Sequence, residues 1–492
     1  MKILLINANR FKHPWPVIPF GLSCVAAALE SKGYELQVLD LCFSKDCAKD
    51  LKRQVLLFQP MIIGLSIRNI DNSAGYNTLF LLEATKNEII KPLKSLFAGP
   101  IVIGGPSVGI NGAEMLSYLD LNYAIRGDGE DAIVEFVRRI DTDTPLEGLE
   151  GLVIRKDEKI IQDNPPLLVK DLNTLPYVNP GKYIDLTQYR KYNSPLQIQT
   201  KRGCALECSY CTYNRIEGLK YRLRDAQKVA DQIEKLYIDT GISHLEFTDS
   251  TFNIPLAHCK KVLKALKKKN LKLNLRTMGL NPGSVDEELV DLMKQNGFRD
   301  VDLGAEAGCD EMLKSLGKNY SKKEVIHAGK LLQEKGIPVT WYLLVGAPGE
   351  TKETLIETFN TINQAASKWD LINIGVGLRV YKGSPIAIGM KNDNPSCTKD
   401  EFLKPVAFIP EALSLEQVKR ITKQFALKNP NYFMFDEDET TPLFVLRLGT
   451  LILKIFAPDQ PVWRLHILIR MIQKVTGIGL LKRMLYHLFE RS

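Results

Sequence analysis

Three cysteines fall within eight residues, in the segment Lys201-Arg202-Gly203-Cys204-Ala205-Leu206-Glu207-Cys208-Ser209-Tyr210-Cys211-Thr212. Iron–sulfur clusters are held by thiolates, and a cubane has four irons to ligate. Cys204, Cys208 and Cys211 can therefore wrap one [4Fe-4S] cluster and leave one iron open to an outside chelator. Lys201, Arg202 and Gly203 make the loop electropositive and flexible, which suits thiolates and an anionic cluster. A structural zinc site wants four closed ligands, commonly two CxxC-type pairs. No nearby Cys or His supplies a fourth here, the nearest histidine being His244.

A loop of this kind needs a frame. Residues 196–390 alternate strand and helix signals, with LQIQT, HLEFTD, LKLNLRT, DVDLGAE, VTWYLLV and INIGVGLRV as candidate strands. Six strands, most followed by a helix-like segment, predict a partial (β/α)6 TIM barrel, whose chemistry sits at the carboxyl ends of its strands. The cysteines follow the first strand, while Asp249, Arg276, Glu306 and Gly346 end later ones. All are expected to face one mouth. Structural roles are also open to them: Arg276 and Glu306 as an ion pair, Asp249 as a helix cap.

Residues 1–140 alternate in the same way. KILLINA, YELQVLDL, MIIGLSI, IVIGG and NYAIRG read as strands, and GLSCVAAALESKG as a helix closed by Gly33. Continuous apolar strands separated by helices predict a parallel, doubly wound, Rossmann-like α/β sheet covered on both faces. Ligands of such sheets lie beyond the carboxyl ends of the strands. Those ends carry Asn7, Ser66, Arg68, Asn69, Gly104, Gly105, Ser107 and Gly127. There is no GxGxxG after the first strand and no Walker motif, which argues against a dinucleotide or a nucleoside triphosphate.

Residues 141–195 change character. GLVIRKDEKIIQDN reads as a β-hairpin turning at Asp157-Glu158, and a proline-punctuated stretch then reads as a linker. Residues 391–492 lose the alternation and are expected to be mainly helical. From Thr441 onward the chain is apolar with interspersed cations, and His466, Arg470, Gln473 and Lys474 recur at helical spacing. Two readings stand open for this region: a helical cap on the barrel, and a basic amphipathic surface touching an anionic membrane.

The chain has 492 residues and a formal charge of +8 without a long Lys/Arg tract, so no nucleic-acid partner is expected. Nine cysteines spread over this length argue against a disulfide framework and for a reducing compartment. No apolar run of about 20 residues exists, and the start has too short an apolar stretch for a signal peptide. A cytoplasmic location follows, with membrane association through the C-terminal region left open.

The cysteine loop, CxxxCxΦC with Tyr210 as the aromatic, resembles the radical S-adenosylmethionine superfamily. The resemblance extends to Glu246 and Asp249 in LEFTDSTFN, Arg276 in LNLRT, Glu306 in LGAEAG, Gly346 and Gly349-Glu350 in VGAPGE, and VYKGSPI. It implies that the amino and carboxylate groups of S-adenosylmethionine chelate the open iron. Glu306 and Arg276 would then meet the methionine part, Asp249 would join the contacts, and adenine would lie near Tyr210 and Gly346. Residues 1–140 resemble the cobalamin (B12)-binding domain fused to many radical enzymes, through LLINA, Pro19-Phe20-Gly21-Leu22, VLDL, IIGLSIRNIDN, VIGGPSVG and IRGDGE. The DxHxxG loop of classical cobalamin mutases is missing, and His13 lacks its context. Arg68 is placed to face the lower side of the corrin and to leave cobalt without a protein nitrogen ligand.

The resemblance implies a division of labour. A 5′-deoxyadenosyl radical would remove hydrogen from an unactivated carbon, and methylcobalamin would supply a methyl group, giving C-methylation. A cyclase, rearrangement or oxidation enzyme using the same pair is the alternative, with a lipid or isoprenoid substrate if the C-terminal region meets a membrane. Partners implied are a small-molecule or lipid substrate and an electron donor of flavodoxin or ferredoxin type. A cobalamin- or redox-sensing regulator would need an output element, such as a base-reading helix, and none is evident.

Overall fold

The computed structural model describes residues 1–13, 15–393 and 402–434, together with Arg464 and Ile467. The basic C-terminal stretch singled out above lies outside the described residues apart from those last two. Among the described residues no helix is long and apolar enough to cross a membrane.

The N-terminal sheet holds β1 (Lys2–Asn7), β2 (Glu35–Asp40), β3 (Ile62–Ser66), β4 (Ile101–Gly104), β5 (Tyr123–Ile125), β6 (Leu152–Lys156) and β7 (Lys159–Asp163), in the order β2-β1-β3-β4-β5-β6-β7. β1 to β5 run parallel. The apolar run of β1 is buried on both faces: Leu4 and Ile6 pack in one core, Ile3 and Leu5 in the other. Helices Cys47–Phe58 and Pro106–Leu119 cover the first face, and Phe20–Ser31 and Gly129–Asp141 the second. The order 2-1-3-4-5 reverses between β1 and β3, where ligands of such sheets bind. There Asn7 pairs with Ser66 at the carboxyl ends.

The hairpin turns where expected, with Asp157 and Glu158 both at positive φ, as a two-residue turn of a twisted ribbon requires. β6 pairs antiparallel with β5, so the hairpin extends the N-terminal sheet, and the linker proper begins after Asp163.

The barrel strands are β8 (Leu196–Ile198), β11 (His244–Phe247), β12 (Asn274–Thr277), β13 (Val301–Glu306), β14 (Val339–Val345) and β15 (Leu371–Val376), all parallel. β9 (Lys201–Arg202) and β10 (Arg222–Leu223) form a separate antiparallel pair. The order β8-β11-β12 continues to β13 through bridges at Leu275–Phe298 and Leu280–Leu303. Pleating sends alternate side chains to opposite faces. Leu245 and Phe247 pack outward with Val262 and Leu263 of the helix Leu256–Lys267. Glu246 faces inward, in register with Gln197 on one side and Arg276 on the other.

Among the described residues after 390 the helix Leu415–Lys428 is joined by β16 (Tyr432–Met434), a seventh parallel strand beside β15. The signal was a three-residue strand, too short for its periodicity to register. Loops also join the two units. Asp71, after β3, is buried against Arg379 at 2.7 Å and accepts from Tyr381 Oη at 3.0 Å.

Candidate active site

The cysteine loop runs between β9 and β10, which form its stem. Gly203, at φ 94°, passes too close to Lys220 O for any Cβ, and its N–H donates to Glu217 Oε2 at 3.1 Å. Cys204 N–H donates to Gly218 O at 3.0 Å and Cys211 N–H to Cys208 O at 3.1 Å. Cys204 and Cys208 are buried and Cys211 half-buried. Burial pushes the Cys208 thiol up, and the Cys211 thiol up to about 11, so these side chains stay protonated until iron displaces the proton.

Among the described residues no three His, Cys, Asp or Glu side chains converge as a single ion requires. A cubane asks for something else, since each thiolate meets its own iron. The three residues fit a cluster.

The stem is held from two sides. On the barrel side Asp249 accepts from Thr200 N and Oγ1 at 2.8 and 2.6 Å and from Lys201 Nζ at 3.1 Å, with Lys201 and Asp249 fully buried. Both carboxylate oxygens are engaged within the protein, so Asp249 positions the loop rather than offering itself to S-adenosylmethionine. On the other side Arg202 pairs with Glu130 at 2.6 Å and with Asp128 at 3.1 Å, and Arg222 also reaches Asp128. Asp128 and Glu130 belong to the IRGDGE segment of the N-terminal domain.

Glu306 closes β13 at φ 59°, where the register with β14 shifts. A left-handed backbone at a non-glycine residue is stored strain of the kind that clusters at functional sites. Its Oε1 accepts from Tyr210 Oη at 2.8 Å and Lys318 Nζ at 3.2 Å. Lys318 also donates to Tyr210 Oη at 2.9 Å and approaches Cys208 Sγ at 3.5 Å. Burial opposes its charge, but Glu306 and Tyr210 outweigh burial and hold the ammonium well above its usual range.

Arg276 does not pair with Glu306. Its guanidinium is buried between Glu246, Asp302 at 2.9 Å and Asp300 at 3.4 Å, and Trp15 of the N-terminal domain lies over it at 4.8 Å. Burial pushes the Asp302 carboxyl up to about 7, against the opposing pull of Arg276. Beside this group Gln197 is buried with neither amide atom hydrogen-bonded. Gly346 follows β14 at φ 89°, and a Cβ there would lie 3.3 Å from Gly377 N. Glu350 accepts its N–H at 3.1 Å.

At the β1/β3 switch point a cavity of about 260 Å³ opens between Ala8–Phe11, Ile67–Asn69 and the segment Leu79–Ile89. Arg10, Arg68 and Asn69 supply its polar lining, and Asn9 Nδ2 is buried there without a partner. A cavity with an unspent donor fits a ligand. The other N-terminal residues singled out have work inside the protein. Asn7 donates to Asp40 at 2.8 Å, and Ser107 Oγ donates to Arg68 O at 2.6 Å. Gly105 is required because a Cβ would meet Ile67 O at 2.7 Å, and Gly127 because Leu167 passes against it. A Cβ on Gly104 would meet nothing nearer than Ile125 O at 3.9 Å, so that position has room for a side chain. His13 is half-buried beside the Phe11 ring, 5.7 Å between centroids.

Residues 198–362 match the Radical SAM superfamily and residues 10–137 match the B12 binding domain. The chain is a radical SAM protein with a B12 binding domain. The tryptophan 2-C-methyltransferase of Streptomyces laurentii is 25% identical over 443 residues, 77% of this chain and 73% of that one. The anaerobic magnesium-protoporphyrin IX monomethyl ester cyclase of Synechocystis sp. is 24% identical over 356 residues, 68% of this chain and 67% of that one. The solved structure of the radical S-adenosylmethionine methyltransferase TsrM from Kitasatospora setae, with cobalamin and a [4Fe-4S] cluster bound, matches with a TM-score of 0.81. That match covers 97% of this chain and 99% of that one at 21% identity.

Within this radical SAM architecture, two parts of the site escaped the sequence reading. Lys318 meets partners more than 100 residues earlier in the chain, so no local pattern marks it. The cavity wall at Leu81, Thr85 and Ile89 did leave a signal, an i, i+4, i+8 stripe on one helical face.

Proposed function

We propose that the protein is a cobalamin-dependent radical S-adenosylmethionine C-methyltransferase acting on an unactivated carbon. The observation that carries the reading is the ion-paired contact of Arg202, on the cysteine-loop stem, with Asp128 and Glu130 of the B12 binding domain. It ties the two cofactor sites into one assembly. The relative named as a tryptophan 2-C-methyltransferase adds support.

Cys204, Cys208 and Cys211 would hold the cluster, and the cavity at the β1/β3 switch point would take part of the cobalamin. When bound, cluster and S-adenosylmethionine supply a carbon-centred radical, and cobalamin supplies a transferable methyl group. The chain's own part is to position and to exclude water. Glu306 and Tyr210 present polar atoms beside Cys208. Trp15 and Arg276 join the N-terminal domain to the barrel interior, where Gln197 keeps an unspent donor and acceptor for a substrate. Arg68, on the cavity wall, would hold the cobalamin with a cation. The remaining partners would be a small-molecule or lipid substrate and a one-electron donor of flavodoxin or ferredoxin type.

Cyclisation with the same cofactors is the second reading, favoured by the similarity to the magnesium-protoporphyrin cyclase. Anaerobic reconstitution with iron, sulfide, cobalamin and methyl-labelled S-adenosylmethionine, followed by product analysis on host extract, separates the two. Labelled methyl in a product, with S-adenosylhomocysteine, is the expected result. 5′-Deoxyadenosine without methylated product would overturn it in favour of the second reading.

A further inference from the structure

Lys318 has three N–H donors and three acceptors within reach: Cys208 Sγ at 3.5 Å, Tyr210 Oη at 2.9 Å and Glu306 Oε1 at 3.2 Å. The ammonium also lies 5.0 Å from the centre of the Tyr210 ring. Its side chain is only 7% exposed. The backbone places it firmly. Gly317, at φ 68°, packs so closely on the cysteine loop that a Cβ would meet Glu207 O at 2.8 Å. Ser209 N–H donates to Leu316 O at 3.0 Å. The segment carrying Lys318 is thus bonded directly to the loop carrying Cys208.

A structural partner for Glu306 would account for one of these contacts. It would not require the ammonium to reach a cluster thiolate as well. Hydrogen bonds to the sulfurs and local charge set the reduction potential of an iron–sulfur cluster. A buried cation beside a thiolate stabilises the more negative, reduced cluster more than the oxidised one, because Coulomb energy scales with the charge it meets.

We propose that Lys318 is a positioning residue for the cluster: its ammonium donates to Cys208 Sγ, raises the cluster's reduction potential, and holds Tyr210 and Glu306 beside Cys208. The step concerned is the uptake of one electron by the oxidised cluster from an external low-potential reductant, with no bond broken. The inference rests on the cluster assigned under the proposed function.

The test uses the full chain, reconstituted anaerobically with iron and sulfide. Iron and sulfide content first establish whether the cluster is present, independently of Lys318. The protein is then poised electrochemically with mediators, and the reduced cluster is counted by EPR. At the wild-type midpoint, Lys318→Met is expected to lower the ratio of reduced to oxidised cluster about tenfold, a midpoint lower by ~59 mV for one electron. Lys318→Arg, which keeps a cation, is expected to recover most of that loss. A Lys318→Met cluster at the wild-type midpoint would overturn the proposal. If Lys318→Met takes up no cluster, Lys318→Gln, which keeps a donor but no charge, is measured in its place: a lowered midpoint supports the proposal, and the wild-type midpoint overturns it.

Discussion

Arg202 and Glu130 form a two-point ion pair across the domain boundary, with Nη2–Oε1 at 2.6 Å and Nη1–Oε2 at 3.1 Å. Both side chains are nearly buried. Removing one partner of a buried pair costs roughly 3–5 kcal/mol where it strands the other charge, and less here, because Arg202 keeps Asp128 at 3.1 Å. Glu130→Ala should therefore lower the thermal midpoint and reduce the iron bound after reconstitution, since Arg202 lies two residues before Cys204. Thermal unfolding and iron analysis check both. A variant with normal iron content would show that the barrel alone holds the loop.

Glu217 gives a pH signature. Burial pushes its carboxyl up to about 7 from a reference of 4.5, although Gly203 N–H and Arg202 favour the charged form. The folded protein thus holds this proton more tightly than the unfolded chain does. The stability penalty is absent below pH 4.5, grows as pH rises and is complete above about 7. Glu217→Gln should raise the thermal midpoint of the metal-free protein at pH 8, by an effect on the order of 3 kcal/mol. It should also flatten the decline between pH 4.5 and 7. Asp302, also pushed up to about 7, should leave part of the slope in place. An unchanged pH profile would show that Glu217 is ionised at no cost.

The two cofactor sites draw on different residues. Cys204→Ala should abolish cluster incorporation while leaving cobalamin binding intact, measured by iron content and by optical titration with cobalamin. Loss of cobalamin binding alongside the iron would mean that the B12 binding domain depends on the loop for its shape.

Among the described residues no histidine lines the cavity at the β1/β3 switch point, whereas Arg10 and Arg68 do. Bound cob(II)alamin should accordingly give an EPR spectrum without nitrogen hyperfine splitting. Splitting in the wild type that vanishes in His13→Ala would assign the axial position to His13 instead.

The sequence by itself determined the elements and singled out the three cysteines proposed as cluster ligands. Cys204, Cys208 and Cys211 lie within eight residues, so their joint chemistry is local and needs no fold to be read. The strand–helix alternation is equally local, because burial on both faces of a parallel sheet demands apolar runs such as KILLIN. Only the tertiary structure decided what the polar residues at the strand ends do. Asp249 and Arg276 have the composition of ligand contacts, but their charges are answered inside the protein, by Lys201 and by Glu246, Asp300 and Asp302. A buried charge must find a counter-charge, and which one it finds depends on chain segments that meet only on folding. For the same reason Lys318 and the Arg202–Glu130 pair carry no sequence signal. Their partners lie far away along the chain, and what joins them is the packing of the cysteine loop between β13 and the B12 binding domain.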